Sequence, residues 1–132
     1  MIEFRTAVEA GDFAALGDLL ADDVVFRSPV AFKPYEGKAI VAAILRGVGR
    51  VFADFRYVRE LADPDGRGSA LVFETVVDGV SVNGIDLIRT NADGLISELT
   101  VMVRPLSAAN ALAAAMAAQF DQIVAEASGA TS

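Results

Sequence analysis

Apolar residues at the start of the chain recur at helical spacing. Phe4 and Val8 lie four apart, and Phe13, Leu16, Leu19 and Leu20 continue after a break at Gly11. Two short helices are predicted, with Asp12 placed to cap the second. Val24-Val25-Phe26 reads as a short strand closed by Ser28-Pro29. The segment Val30 to Glu36 holds two aromatics and a proline, and reads as a loop lying over another part of the molecule. From Gly37 a longer helix is predicted, with Ile40, Ile44 and Val48 on one stripe and Val41 and Leu45 beside it.

The period then changes from helix to strand. Phe55 to Leu61 opens a meander, and Asp63-Pro64-Asp65-Gly66 is a turn. Ala70 to Val77 is apolar except for Glu74 and Thr75, and Asp78-Gly79 is a strong hairpin signal. Val80 to Arg89, a turn at Asn91 to Gly94, and Leu95 to Arg104 follow. Pro105 stops the last strand. Ser107 is placed to cap a final helix carrying Leu112, Met116, Phe120 and Val124 at four-residue steps. Residues 1–126 are expected to form one α+β domain, and residues 127–132 a frayed tail. Helices ahead of a run of strands cover one face of the sheet.

Composition narrows the chemistry. The 132 residues include no Cys and no His. Disulfides, thiolate nucleophiles, imidazole bases and the usual transition-metal ligands are therefore excluded. Proton chemistry falls to Asp, Glu, Tyr, Lys, Arg or water, with no cofactor expected. The net charge of -7 opposes binding to nucleic acid or to anionic membranes. The apolar share of 54% suits a cavity lining, a dimer interface, or both. The Ala-rich stretch around Ala108 to Phe120 is too short to span a bilayer. Acidic residues stand where a signal peptide would be basic and then apolar, so a cytoplasmic protein is expected.

Strand alternation picks out one candidate group. On Val80 to Arg89, the residues Val82, Gly84, Asp86 and Ile88 share a face. Asp86 thus interrupts an apolar run. If buried, its carboxyl pKa rises, and it can donate a hydrogen bond to a carbonyl or enolate oxygen near neutral pH. The alternative is that Asp86 faces water or pairs with an Arg of a neighbouring strand. Leu99, Val101 and Val103 form an apolar face of the last strand, and Phe73, Thr75 and Val77 alternate along the strand before Asp78. Glu74 and Glu98 are placed to pair with Arg89 or Arg104 across the other face. Phe32, Tyr35 and Tyr57 are candidates for a pocket mouth or for core, with Tyr57 assigned to the core.

The element order, Gly11-Asp12, the run Ala21-Asp22-Asp23-Val24-Val25-Phe26-Arg27-Ser28-Pro29, the Gly37 helix start, Gly84 to Arg89 and Asp93-Gly94-Leu95-Ile96 together resemble the nuclear-transport-factor-2-like superfamily, in particular its SnoaL-like members. The group includes ketosteroid isomerases, polyketide cyclases and limonene-epoxide hydrolases. The resemblance implies a cone-shaped, curved antiparallel sheet of cystatin-like form, with N-terminal helices on its concave face around a pocket, plus a C-terminal helix. It also implies a neutral, oxyanion-binding role for Asp86, or the cyclases' acid/base role. The isomerases' basic Asp corresponds to Ser28 and their oxyanion Tyr to Phe4, so their steroid mechanism is not expected. No second pocket carboxylate can be placed to complete the hydrolases' Asp-Arg-Asp set. The resemblance puts Val24, Phe26, Ser28, Phe73, Thr75, Val77, Gly84, Leu99, Val101 and Val103 on the concave side with Asp86.

Three functions follow as expectations. The first is a cofactor-independent cyclase or isomerase of a small apolar carbonyl compound, with Asp86 as acid/base or hydrogen-bond donor. The second is a non-catalytic binder of a small hydrophobic ligand. The third is a dimeric interaction module. A homodimer through the outer sheet face is compatible with all three.

Overall fold

A computed structural model describes residues 2–129. Helix α1 (Ile2–Glu9) and helix α2 (Phe13–Leu16) lead through a 3-10 turn (Gly17–Leu19) into strand β1 (Leu20–Arg27). Strand β2 (Tyr35–Glu36) and helix α3 (Lys38–Val51) follow. Strands β3 (Ala53–Ala62), β4 (Gly68–Val77), β5 (Val80–Thr90) and β6 (Ile96–Arg104) form the meander, and helix α4 (Leu106–Ala127) ends the chain's described part. The result is an α+β fold built on a curved six-stranded sheet.

The strand order is β2-β1-β6-β5-β4-β3. All pairings are antiparallel except β1 with β6, which runs parallel and joins the N-terminal strand to the end of the meander. The Asp78-Gly79 signal holds. Both residues have positive φ, 48° and 78°, as a tight two-residue hairpin turn requires. Asp12 caps α2 by accepting a hydrogen bond from the Ala15 backbone N–H at 3.2 Å.

Side-chain alternation divides the sheet as expected. Val82, Gly84, Asp86 and Ile88 of β5 are buried, as are Phe73, Thr75 and Val77 of β4. Helices α1, α3 and α4 close over that inner face. Phe4, Leu16, Val24, Val41, Leu45, Leu99 and Leu112 meet there in one core. Arg5 of α1 bridges to Glu60 of β3 at 3.0 Å and ties the first helix to the sheet edge. Arg46 and Arg50 of α3 both bridge to Glu126 of α4, at 3.1 and 2.9 Å.

Four local expectations are corrected. The first strand begins at Leu20, well before Val24, because β6 supplies a pairing partner that local pattern does not show. Tyr35 and Glu36 leave the expected loop and pair with Phe26 and Val25 as β2. Pro105, not Ser107, sits at the N-cap of α4, and no side chain caps it. On the outer face Glu74 pairs with Arg56, its cross-strand neighbour, and Glu98 with Arg27 at 3.2 Å, although Arg89 is the residue directly opposite Glu98 on β5. Arg89 turns to Asp63 and Asp65 instead. Ala127 is the last residue of α4; of the tail expected to fray, residues 130–132 lie outside the described residues.

Candidate functional site

Asp86 sits in the middle of β5, cross-strand from Leu71 of β4 and Val101 of β6. Both neighbours are apolar, so the sheet offers its carboxyl no ion-pair partner. Only 7% of the residue is accessible. The alternative of a water-facing or Arg-paired Asp86 is therefore not what the fold builds. Its partner is a phenol: Tyr57 of β3 donates a hydrogen bond from its hydroxyl to Asp86 Oδ2 at 2.9 Å. Among the described residues, no protein group hydrogen-bonds Oδ1.

Tyr57 reaches Asp86 across an intervening strand. It pairs with Phe73 of β4, and Phe73 pairs with Gly84 of β5. Gly84 has no side chain, so the Phe73 ring lies down over it. The phenol is then held edge-on between two rings. Phe55 is 4.9 Å away at 88°, and Phe73 is 6.5 Å away at 87°. These are favourable edge-to-face geometries. From α1, the Arg5 guanidinium stands over the Tyr57 ring at 5.6 Å. Tyr57 is thus positioned from three sides, and its hydroxyl has one direction in which to point.

The electrostatics follow from this burial. Desolvation pushes the Asp86 carboxyl up to about 7, and the Tyr57 hydrogen bond offsets part of the rise by favouring the charged form. The Tyr57 hydroxyl is pushed well above its ordinary range, by burial first and by the adjacent Asp86 charge second. At neutral pH Asp86 therefore populates both protonation states, while Tyr57 stays a donor.

A cavity of about 60 Å³ opens beside the pair. Among the described residues, Asp86 and Tyr57 are the only ionisable groups that line it. Its other walls come from α1 and α2, from the β1–β2 connection, from α3 and from Leu112 and Met116 of α4. Of the residues expected to line a pocket, Phe26, Ser28, Val101 and Asp86 do so. Phe4, which stands in the position of the isomerases' Tyr, lines it too.

Several expected lining residues lie elsewhere. Val24, Phe73 and Leu99 share the inner face but are sealed into the core behind the cavity. Val103 packs against that core nearer the strand end. Thr75 is buried because its hydroxyl donates to the Ala53 carbonyl at 2.7 Å, a sheet-edge role. Phe32 is fully exposed, since the β1–β2 connection turns it outward. Tyr35 lines a neighbouring groove. Tyr57 is in the core, as assigned, and also lines the cavity; sequence reasoning missed Phe55, Ile44 and Met116 as lining groups. The inward parity of Tyr57 was a usable signal, but its reach to Asp86 depends on strand register. Among the described residues, no cluster of three His, Cys, Asp or Glu side chains could hold a metal ion. Among the described residues, no helix is long and apolar enough to cross a membrane.

A curved six-stranded sheet with helices packed over its inner face is the nuclear-transport-factor-2-like fold. Residues 1–99 match the family model of the SnoaL-like domain, and the chain belongs to that family. It is similar to a steroid delta-isomerase from Pseudomonas aeruginosa, with 42% identity, a TM-score of 0.88, and coverage of 94% of this chain and 90% of that one. It is also similar to an uncharacterised protein of cystatin-like fold from Silicibacter pomeroyi, with 39% identity, a TM-score of 0.82, and coverage of 87% and 80%. The fold extends to the epoxide hydrolase/cyclase-like enzyme SalBIII of pyran ring formation in salinomycin, at 18% identity, a TM-score of 0.66, and coverage of 80% and 88%. No curated protein matches the chain.

Proposed function

We propose that the protein is a cofactor-independent isomerase or cyclase of apolar carbonyl compounds, with Asp86 as its single acid/base and Tyr57 as its positioning donor. The observation that carries this reading is the 2.9 Å Tyr57–Asp86 hydrogen bond beside an otherwise apolar cavity. A carboxyl poised near 7 suits general base catalysis at neutral pH. In the ionised state Asp86 Oδ1 takes a proton from the carbon α to the carbonyl. The C–H electron pair moves into the enolate, and the proton stays on Asp86. The neutral carboxyl is then a poorer acceptor, and the Tyr57 hydroxyl donates to the enolate oxygen instead. Return of the same proton to a different carbon is isomerisation. Attack of the enolate on a second electrophile in the ligand closes a ring.

The likeness to a steroid delta-isomerase supports the isomerase reaction class. Phe4 and Ser28 both face the cavity, so neither of the isomerase positions they fill supplies a phenol or a carboxylate. All proton transfer then rests on Asp86. The same scarcity supports a second reading, a binder that holds a carbonyl ligand without turnover.

Exchange in D2O separates the two. With 2-butanone as probe, the α-protons should exchange faster than in buffer alone, followed by NMR. Asp86→Asn should abolish the excess rate, a loss of about 100-fold or more. Binding of the ketone without excess exchange would establish the binder and overturn the enzyme.

The reading includes a cytoplasmic homodimer through the outer sheet face. Leu87 of β5 and Met102 of β6 are exposed there, beside the half-buried Val72 and Ile85. The Arg27–Glu98 and Arg56–Glu74 pairs flank this patch. An apolar centre with a charged rim is the pattern of a protein–protein contact.

A further inference from the structure

The cavity beside Asp86 is small. At about 60 Å³ it falls far below the roughly 300–1,000 Å³ of sites that enclose drug-sized ligands. A second concavity of about 200 Å³ adjoins it, between α3, α4 and the β1–β2 connection. The two share Phe26, Ser28, Val30, Ile44 and Met116 as walls. Beyond that partition the groove is bounded by Tyr35, by small residues of α4 (Ala113 and Ala117) and by Phe120. Phe120 is 48% exposed, so the far end opens to solvent. A half-exposed Phe at the rim of an apolar groove is a site where an apolar ligand gains contact area on entry.

From these shared walls we infer that cavity and groove form one elongated site for unbranched aliphatic carbonyl compounds. The inference rests on the carbonyl-binding reading above and adds the shape of the ligand. The carbonyl lies at Asp86 and Tyr57, and the alkyl tail runs along α4 past Ala113 and Ala117 towards Phe120. Met116 stands in the partition. Its unbranched, flexible side chain yields to a thin chain more readily than Leu or Ile would. Among the described residues, the groove lining carries only the Ser28 and Tyr35 hydroxyls as polar side chains, which suits a hydrocarbon tail.

The test compares 2-butanone with 2-nonanone by NMR shift titration of the full chain. The long ketone should bind at least ten-fold more tightly, and its tail should shift the Met116 and Ala117 methyl signals. Ala117→Trp fills the groove at an exposed helix position and should weaken 2-nonanone at least five-fold. The 2-butanone titration of the same variant, with circular dichroism, reports whether the fold and the Asp86 cavity survive. A second variant, Ala113→Leu, narrows the groove independently. Equal affinity for the two ketones, or 2-nonanone binding indifferent to both variants, overturns the inference and leaves the carbonyl site standing. Binding of neither ketone overturns both.

Discussion

The Tyr57 hydroxyl sits 2.9 Å from Asp86 Oδ2, although the two residues belong to strands separated by a third. The contact forms because Gly84 lets the Phe73 ring lie flat, and the Tyr57 ring stands edge-on against it. A buried carboxyl and a buried phenol each lose hydration on folding, and each is the other's partial compensation. The site's properties follow from how incomplete that compensation is.

Stability should fall as pH rises through neutrality. The folded protein raises Asp86 from 3.8 to about 7. Between those values the folded state holds a proton that the unfolded state has released, so stability is lost with rising pH and levels off above about 7. The full effect is on the order of 4 kcal/mol, of which roughly 2–3 kcal/mol falls between pH 5 and 8. The chain has no His, so no other side chain ordinarily titrates in that window. Denaturant unfolding at pH 5 and pH 8 should show the decline, and Asp86→Asn should flatten it. An equal decline in Asp86→Asn would assign the effect elsewhere.

Tyr57→Phe should push Asp86 higher still. The phenol lowers the Asp86 pKa by favouring the carboxylate, so its loss removes the one local group that opposes desolvation. The cost should be about 1–3 kcal/mol at pH 8, where the carboxylate is left unpartnered, and smaller at pH 5. A carboxyl-carbon NMR titration of Asp86 in wild type and variant measures the direction directly. A fall, or no change, would mean that Tyr57 does not act on the carboxyl.

Much of this arrangement is legible in the sequence, and the rest has identifiable reasons for being hidden. Alternation put Asp86 on one face with Val82 and Ile88, because strand parity is local, but it left open whether that carboxyl meets water, an Arg or the core. The Tyr57–Asp86 contact is not local. It depends on a register shift in β3 between Tyr57 and Arg59 and on two successive strand pairings. The α4 stripe misleads for a geometric reason. Residues four apart drift about 40° per step on a helix, so Leu112 and Met116 face inward while Phe120 and Val124 rotate out. Ile123 takes their place in the core. On the outer face Arg89 does stand cross-strand from Glu98, but it turns to Asp63 and Asp65 of the β3–β4 turn, and Arg27 of β1 pairs with Glu98 instead.

Met102→Glu should abolish the proposed dimerisation. Met102 is half exposed at the centre of the outer face and makes no contribution to the inner core. Two added carboxylates facing each other across a two-fold contact would repel in a desolvated setting. Light scattering should give a dimer mass for wild type at micromolar concentration and a monomer for the variant, with unchanged circular dichroism. A wild-type monomer would dispose of the interface altogether.

Gly84→Ala should damage the site through packing alone. Gly84 is needed for close approach, not for an unusual backbone angle: its φ is not among the positive ones. An added Cβ would overlap the Phe73 ring at its outer edge. Phe73 has no room to retreat, because Phe52 lies 5.7 Å and Phe55 5.0 Å from its ring centre. The strain should cost about 1–3 kcal/mol. Relief runs towards Tyr57, which lengthens the hydrogen bond to Asp86. Two readouts are therefore coupled: a lower melting temperature, and an Asp86 pKa displaced upward as in Tyr57→Phe. Simple destabilisation would give the first without the second. Phe73→Leu in the Gly84→Ala background frees the space under the new methyl and should recover part of the stability. It does not rebuild the aromatic edge that aims Tyr57, so the Asp86 pKa should stay high even as stability returns. Recovery of both together would show that the Phe73 ring has no part in aiming the phenol.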